Sequence, residues 1–165
     1  MEVRDATAAD VPAINTLYNA LIATTTVAWT EYEEPLSERV AWFEAQQQSG
    51  NPVLVAELDG VVVGFTSYGD FRGSKKWPGY RFTVEHTVHV AQTHAGAGIG
   101  RALLEALVTR AAADGKHVMI GAVDADNVGS IRFHERLGFE EVGRLPETGF
   151  KFDRWLDLVF VQRRL

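Results

Sequence analysis

A strand, a glycine-rich turn and a helix follow one another directly in residues 81–113, and this run constrains the fold of the chain most. Residues 81–90 alternate between an apolar face and a polar face, which is typical of a strand with one buried side. Glycine then occupies every second position from Gly96 to Gly100, and a helical pattern runs from Arg101 to Ala113. Strands that alternate with helices predict a mixed α/β sheet with helices on both of its sides.

The rest of the chain carries signals for the same architecture. Asp59-Gly60 lies between two β-forming runs and predicts a hairpin, and Gly50 is the expected end of a helix that begins after Ser37. The other expected elements are a strand over Val3–Ala6, a helix capped by Thr7 that runs through Ile22, strands over Val53–Leu58, Val61–Tyr68 and His117–Val123, and a helix from Asn127 that stops before Gly138. Two last strands, Phe139–Gly143 and Phe152–Gln162, are expected on either side of a turn at Pro146–Gly149.

The composition bounds the class of protein. The chain has 165 residues, enough for one domain over residues 1–165, and 46% of them are hydrophobic, which excludes a disordered or fibrous protein. A formal net charge of −6 argues against a basic face that binds nucleic acid or an anionic membrane. No cysteine is present, which excludes disulfides, thiolate metal sites and a cysteine nucleophile. Because the sequence shows no secretory signal and no membrane-spanning run, we expect a cytoplasmic protein.

The glycine-rich turn is a candidate phosphate-binding site. A turn between a strand and a helix exposes backbone N–H groups at the positive end of the helix dipole, where phosphates bind. Arg101 occupies the position of the third glycine of the dinucleotide fingerprint, and no Lys-Ser or Lys-Thr pair completes a P-loop. From these glycines alone, a nucleotide-like ligand and a tight turn without a ligand both remain open.

Glu85 and His134 are the candidate proton-transfer groups. Glu85 lies in the middle of a predicted strand, where a carboxylate must be solvated, paired or functional. It is therefore either a base or the ion-pair partner of Arg72 or Arg81. His134 lies on a short predicted helix and is either an acid, a ligand contact or a half-buried polar residue.

Four cations are interleaved with aromatic residues just before the strand that carries Glu85. This mixture suits an anionic or zwitterionic small ligand, and the alternative is a solvated basic loop. The residues concerned, which we call the cationic segment, are Arg72, Lys75, Lys76, Trp77, Tyr80 and Arg81. Two other kinds of chemistry are not supported: no serine lies in a G-x-S-x-G elbow, and His86 and His89, three apart on a strand, point to opposite faces and do not form a metal site.

Several segments of the sequence indicate a family only when they are considered together. They are Thr83–Val90, His94–Arg101, Asn127–His134 and Leu137–Phe139, together with Tyr18-Asn19, Pro52–Val55, Gly69–Arg72, Lys151-Phe152 and Arg154–Leu158. As a set they resemble the GNAT superfamily of acyltransferases, and they are most similar to its phosphinothricin and methionine sulfoximine N-acetyltransferase branch. This resemblance covers nearly the whole chain and implies an α/β fold with a mixed, splayed sheet of about seven strands flanked by about four helices.

The resemblance implies that acetyl-CoA is the co-substrate and that it lies between the fourth and fifth strands. The strand backbone at Val88, His89 and Val90 would pair with the pantetheine arm, and Asn127 and Ser130 would contact the coenzyme. The backbone amides that would receive the pyrophosphate are those of Gly96, Ala97, Gly98, Ile99, Gly100 and Arg101. Alanine at positions 95 and 97, where polar or basic residues are usual, predicts weaker coenzyme binding.

The resemblance also implies direct transfer of the acetyl group without an acyl-enzyme. An α-amine with a pKa of about 8 is mostly protonated at pH 7, and only its neutral form attacks a thioester, so a base is useful. Glu85 would be that base, and His134 would protonate the departing thiolate. The acceptor would be held by Glu85, His86, Thr87 and the cationic segment, in which an insert at Lys75–Pro78 is expected to reshape the pocket.

The expected reaction is acetylation of the α-amine of small amino acids or analogues such as methionine sulfoximine, methionine sulfone or phosphinothricin, which would detoxify the analogues. Two alternatives stay open: acetylation of a protein N-terminus or a polyamine, and a catalytically silent acyl-CoA sensor. The cationic segment disfavours a polycationic substrate, and the presence of both Glu85 and His134 disfavours a sensor. The resemblance further implies a homodimer, and the net negative charge disfavours a nucleic-acid or membrane partner.

Overall fold

A computed structural model describes residues 1–165 and contains one seven-stranded sheet with two helices on each face. In chain order the elements are β1 (Glu2–Asp5), α1 (Val11–Thr24), α2 (Leu36–Gln48), β2 (Val53–Leu58), β3 (Val61–Asp70), β4 (Thr83–Val90), α3 (Ile99–Ala113), β5 (Val118–Asp124), α4 (Val128–Arg136), β6 (Glu140–Lys151) and β7 (Arg154–Arg164). Short 3₁₀ helices lie at Ala8–Asp10, Pro78–Tyr80 and Gln92–His94. The expected α/β class with seven strands and four helices is therefore confirmed.

The sheet is antiparallel except at one place. Its strand order is β1-β2-β3-β4-β5-β7-β6, and only β4 and β5 run parallel. Their ladder is short, because it pairs only Thr83–Glu85 with Val118–Ile120. β4 stays paired with β3 as far as Val90, and β5 stays paired with β7 as far as Asp124. The two strands therefore separate beyond Glu85, and we call the opening between them the β4–β5 gap.

Two hydrophobic cores cover the two faces of the sheet. The larger core has 16 buried residues and includes Leu103, Leu104 and Leu107, which are fully buried along α3. The smaller core has eight buried residues and joins α1 to α2 through side chains such as Ile14 and Phe43. Because burial of apolar side chains is the main stabilising force of a domain, each core fixes its helices firmly on one side of β4.

Most local signals in the sequence correspond to the observed elements. Asp59 and Gly60 have positive φ angles of 51° and 81° and close the β2–β3 hairpin. Gly50, with a φ of 69°, follows the end of α2. α3 begins at Ile99, two residues before the expected start at Arg101, because Gly98 in the left-handed region precedes its first turn.

The last hairpin differs from its sequence-based prediction. β6 continues through Pro146–Gly149 to Lys151, with only an irregularity in its pairing to β7. The chain reverses at Phe152 and Asp153, which have positive φ angles of 52° and 55° although neither is glycine. The turn predicted at Pro146–Gly149 is therefore wrong, because the ladder along β7 outweighs the local turn preference of those residues.

Gly64 on β3 allows a close approach of α3 to the sheet. A Cβ atom built at this position would lie 2.9 Å from the carbonyl oxygen of His89 and 3.0 Å from Cδ1 of Leu103. A larger residue would therefore force either β4 or α3 to move.

We expect Gly64→Ala to lower the free energy of unfolding by about 1–3 kcal/mol, because the added methyl group overpacks this contact. Urea unfolding followed by circular dichroism measures the change. Gly69→Ala is the matched control on the same strand, since no atom lies within 4 Å of a Cβ built there. Equal unfolding free energies for the two variants would contradict the close approach.

Candidate active site at the β4–β5 gap

A cavity of about 540 Å³ lies beside the β4–β5 gap, and we call it the turn cavity. Its walls are Val88 and Val90 of β4, the glycine-rich turn at Gly96–Gly100, and the start and end of α4. Because the β4–β5 ladder has already ended at Glu85, the β5-facing backbone groups farther along β4 have no strand partner. An extended ligand can therefore form β-type hydrogen bonds with this strand.

The glycine-rich turn has the geometry of an anion site. Gly96 and Gly98 have φ angles of 79° and 81°, which side chains rarely tolerate. The amide of Ala102 donates to the carbonyl oxygen of Gly98 at 3.1 Å, so the amides of residues 99–101 precede the first hydrogen bond of α3. These amides stand at the positive end of a 15-residue helix. The turn can therefore receive a phosphate.

The structure brings most of the predicted coenzyme-binding residues together in the turn cavity. They are Val88, Val90, Gly96, Gly98, Ile99, Gly100, Arg101, Asn127 and Ser130. Ala97 is not among the lining residues, and His89 points to the other face of β4, where its ring packs 5.0 Å from that of Phe65. Sequence reasoning missed His94, Arg136, and the pair Phe133 and Leu137. The four-residue spacing of that pair at the end of α4 was a usable signal, because it puts both side chains on one side.

Glu85 lines a second cavity of about 350 Å³, the Glu85 cavity. Its other walls include Thr87, Thr148 and the loop segment Thr26–Trp29. Burial raises the pKa of the Glu85 carboxyl group, and no cation contributes to the shift. The ion pair with Arg72 or Arg81 that the sequence left open is therefore not formed, and the carboxyl group is free to exchange a proton.

His134 is buried on α4 and faces the gap. Its Nδ1 lies 2.7 Å from the carbonyl oxygen of Ser130, to which it donates a hydrogen bond, and burial lowers the pKa of the ring. The ring centroid lies 5.2 Å from that of His86. Both rings line a third cavity of about 80 Å³, the histidine cavity.

The histidine cavity lies between the other two cavities and shares lining residues with each of them. Val88, Asn127 and Ser130 line both the turn cavity and the histidine cavity. His86 and Thr87 line both the histidine cavity and the Glu85 cavity. A group bound along β4 is therefore within reach of side chains from either face of the strand.

The cationic segment is not part of the Glu85 cavity. Three of its four cations stack on aromatic residues of the same stretch of chain: the guanidinium of Arg72 lies 5.6 Å from the ring centroid of Tyr80, and Nζ of Lys76 lies 5.4 Å from that of Trp77. The guanidinium of Arg81 lies 4.4 Å from the ring of Phe82. Lys75 is exposed like the others. Of the residues predicted to hold the acceptor, only Glu85, His86 and Thr87 line this cavity, and the ring of His86 packs on the other face of β4 against His134 and Phe139.

Lys151 fixes the loop that forms one wall of the Glu85 cavity, a role that no sequence pattern predicted. Its buried Nζ donates to the carbonyl oxygens of Ile22, Thr25 and Ala28 at 2.6, 2.6 and 2.8 Å. An ammonium group has three N–H donors, so all three are used. Burial lowers the pKa of this amine. The residues between Thr25 and Trp29 are therefore tied to β6.

Two further contacts fix the same loop. A Cβ atom built at Gly149 would lie 1.9 Å from the ring of Trp29, so this ring rests directly on the backbone of β6. The hydroxyl of Thr26 donates to the buried carboxylate of Asp124 at 2.5 Å. The loop is thereby anchored on both β5 and β6.

Neither a metal site nor a membrane span is found in the structure. No group of three or more His, Asp or Glu side chains is arranged so that it could hold a metal ion. None of the helices combines the length and apolar character needed to cross a membrane.

Comparison with known proteins decides the family. The model of the Acetyltransferase (GNAT) family matches residues 14–139, which is most of the chain. This protein belongs to the GNAT family of acetyltransferases. The resemblance seen in the sequence is confirmed, and this GNAT enzyme is an N-acyltransferase that uses acetyl-CoA as its co-substrate. The turn cavity fits that co-substrate, because free strand groups and helix amides line one continuous space.

Relatives of this GNAT protein extend along the whole chain. The L-methionine sulfoximine/L-methionine sulfone acetyltransferase of Pseudomonas aeruginosa is 46% identical over 99% of this chain and 94% of its own length. A phosphinothricin acetyltransferase from Sinorhizobium meliloti, solved in complex with acetyl-CoA, is 36% identical with a TM-score of 0.94 and covers 99% of this chain and 88% of that one. A Brucella melitensis protein described as a ribosomal-protein-alanine N-acetyltransferase is 44% identical with a TM-score of 0.96, over 100% of both chains. The splayed GNAT fold expected from the sequence is therefore confirmed.

We expect Lys151→Met to lower the free energy of unfolding by about 2–3 kcal/mol, because three carbonyl oxygens lose a charged donor. Amide hydrogen exchange in residues 25–30 should also become faster. Lys75→Met is the matched control, since that amine is exposed. Unchanged exchange in residues 25–30 of the Lys151 variant would show that the loop is held by other contacts.

Proposed function

We propose that this protein transfers the acetyl group of acetyl-CoA to the α-amine of small amino acids or their analogues, such as methionine sulfoximine, methionine sulfone and phosphinothricin. The observation that carries the proposal is Glu85, a half-buried carboxyl group without a cation partner, in a cavity that connects to the turn cavity through the histidine cavity. The names of the Pseudomonas and Sinorhizobium relatives support this class of acceptor.

The turn cavity binds the coenzyme in this proposal. The amides of residues 99–101 and the glycines of the turn receive the pyrophosphate, and the free strand groups at Val88 and Val90 pair with the pantetheine arm. Asn127 and Ser130, at the start of α4, contact the arm where the turn cavity meets the histidine cavity. The thioester then lies in the gap between the two strands, with Glu85 and His134 on its two sides.

Glu85 acts as the general base. An α-ammonium group must lose a proton before its nitrogen can attack the thioester carbonyl, and a general base works best when its pKa lies near the operating pH. Burial moves the pKa of Glu85 upward, toward that of an α-amine. His134 carries a proton to the departing thiolate, because its buried ring faces the gap and its tautomer is fixed by Ser130.

The cationic segment contributes to the acceptor site in this proposal through its charge. It begins where β3 ends, and Asp70 of β3 pairs with Val84, the residue before Glu85. The segment carries four cations close to this end of β4. Their field attracts the carboxylate or phosphinate of an amino-acid analogue and repels a polyamine.

A second candidate function is acetylation of a protein N-terminus. The name of the Brucella relative, at 44% identity over the whole chain, favours it. A peptide amino terminus offers the same reactive α-amine, so Glu85 would act on it in the same way. The two candidates differ in the neighbour of the amine, which is a free carboxylate in an amino acid and an amide in a peptide.

The protein acts as a cytoplasmic homodimer in this proposal. β6 is an edge strand of the sheet, and Phe150 and Trp155 on the last hairpin form an exposed aromatic pair 5.1 Å apart. Exposed apolar surface of this kind is typical of an interface. The absence of cysteine is compatible with a reducing compartment.

Free CoA released by the purified protein from acetyl-CoA tests the acceptor class. We expect release with methionine sulfoximine, methionine sulfone and phosphinothricin to exceed release with an alanine-terminated peptide or with spermidine by at least about tenfold in kcat/KM. The reason is that only the first three carry an anionic group next to the amine. A preference for the peptide would favour the second candidate, and release that no acceptor increases would favour a sensor.

Replacing Glu85 by Gln is expected to lower kcat by about 100-fold at pH 7, because general base catalysis contributes at least that much. The rate of the unaltered enzyme should rise with pH as the Glu85 carboxylate forms. The rate of the variant should follow only deprotonation of the amine itself, so the difference narrows at high pH. Glu141→Gln on the exposed side of β6 is the control. Identical rates for the Glu85 variant and the unaltered enzyme from pH 6 to 9 would exclude Glu85 as the base.

A further inference from the structure

His86 is a buried imidazole for which the proposed mechanism gives no role. The alternation along β4 turns its ring away from the face of Glu85 and toward α4, where it packs against His134 and Phe139 with ring centroids 5.2 and 5.3 Å away. Its residue is 5% exposed, and no protein atom forms a hydrogen bond with its Nδ1 or its Nε2. Buried polar atoms are nearly always paired with protein or with ordered water, so we expect this ring to have a partner that the protein itself does not supply.

The Nε2 atoms of His86 and His134 converge on one place. A Cβ atom built at Gly121, the first residue of β5 beyond the short ladder, would lie 2.8 Å from Nε2 of His86 and 3.5 Å from Nε2 of His134. No protein atom forms a hydrogen bond with Nε2 of His134 either. The absence of a side chain at Gly121 therefore leaves space into which both nitrogens point, and this space belongs to the histidine cavity.

The protonation states of the two rings give one of them a hydrogen-bond donor and the other an acceptor. Burial lowers the pKa of His86 to about 3 and also lowers that of His134, so both rings are neutral at pH 7. Nδ1 of His134 donates to the carbonyl oxygen of Ser130, which can only accept, so its Nε2 carries a lone pair. A neutral His86 has one N–H to donate. The pair therefore consists of one donor and one acceptor that face the same small cavity.

We propose that His86 is a positioning residue: through its Nε2–H it holds a water molecule in the histidine cavity, and that water donates to Nε2 of His134. The inference rests on the acetyl transfer proposed above. The cavity, at about 80 Å³, is large enough for a water molecule, and the two imidazole nitrogens supply the polar partners that a buried water needs. His86 keeps its own proton throughout the reaction.

The held water gives His134 a path for one proton of the reaction. When the amine nitrogen bonds to the thioester carbon and the carbon–sulfur bond breaks, the nitrogen carries one proton too many and the sulfur leaves as a thiolate. The proton passes from the nitrogen through the water to Nε2 of His134 and from there to the sulfur, which leaves His134 neutral again. The other proton, lost by the ammonium before attack, goes to Glu85 and then to solvent. The products are the acetylated amine and CoA with a thiol.

Substitutions of His86 separate this role from simple packing. The side-chain amide of glutamine reaches the position of Nε2, whereas that of asparagine reaches only the position of Nδ1. Phenylalanine keeps the ring but has no nitrogen. We therefore expect His86→Gln to retain kcat within about threefold, and His86→Asn and His86→Phe to lower kcat by about tenfold or more, with the KM for acetyl-CoA unchanged.

A second measurement does not depend on activity. In ¹⁵N-labelled protein without substrates, the resonance of Nε2 of His134 reports whether this lone pair accepts a hydrogen bond. We expect it to move in His86→Phe and to stay close to its original position in His86→Gln. Gly121→Ala, which crowds Nε2 of His86 but leaves both imidazoles in the chain, should move it as His86→Phe does.

An unchanged His134 resonance in His86→Phe, or equal losses of kcat in His86→Gln and His86→Asn, would overturn the proposal, since shape alone would then explain His86. If no amino-acid acceptor is acetylated, the proposed function fails while the resonance still tests the hydrogen bond. If acetylation proceeds and the resonance does not respond to His86→Phe, only the role of His86 fails.

Discussion

β4 and β5 share only three residues of parallel ladder, and each strand continues beyond it hydrogen-bonded to a different antiparallel partner. Neither strand can close the gap without breaking its ladder with β3 or β7. The gap is therefore part of the rigid sheet rather than a space between mobile loops. The turn cavity, Glu85 and the histidine pair all lie along its edges, which fixes their positions by backbone pairing and not by side-chain packing alone.

Successive side chains of a strand point to opposite faces of the sheet, so the titratable groups of β4 are divided between the two faces. Glu85 and His86 are neighbours in sequence, yet they serve opposite sides of the sheet. The same physical cause, removal from water, acts on both in opposite directions: it raises the pKa of the carboxyl group and lowers that of the imidazole. Both shifts favour the uncharged form of the group.

Features set by neighbouring residues were predictable from the sequence, and features set by distant ones were not. The hairpin at Asp59-Gly60 and the glycine turn before α3 follow from backbone preferences within a few residues. The resemblance that the sequence motifs carried identified the family. The three hydrogen bonds donated by the ammonium group of Lys151, which we call the clamp of Lys151, join residues more than 120 positions apart. No local sequence pattern could therefore predict them. Three of the four cations of the cationic segment stack on aromatic residues of the same stretch of chain, and the composition of the segment alone does not predict these contacts.

The clamp of Lys151 also bears on how such enzymes can diversify. The loop after α1 and the hairpin that closes the chain form one wall, although almost the whole sequence lies between them. Recombination between related genes with a single crossover in the middle would pair a loop from one parent with a hairpin from the other. An exchange that keeps both ends from the same parent would preserve the wall, so the two termini are expected to be inherited together when acceptor preference changes.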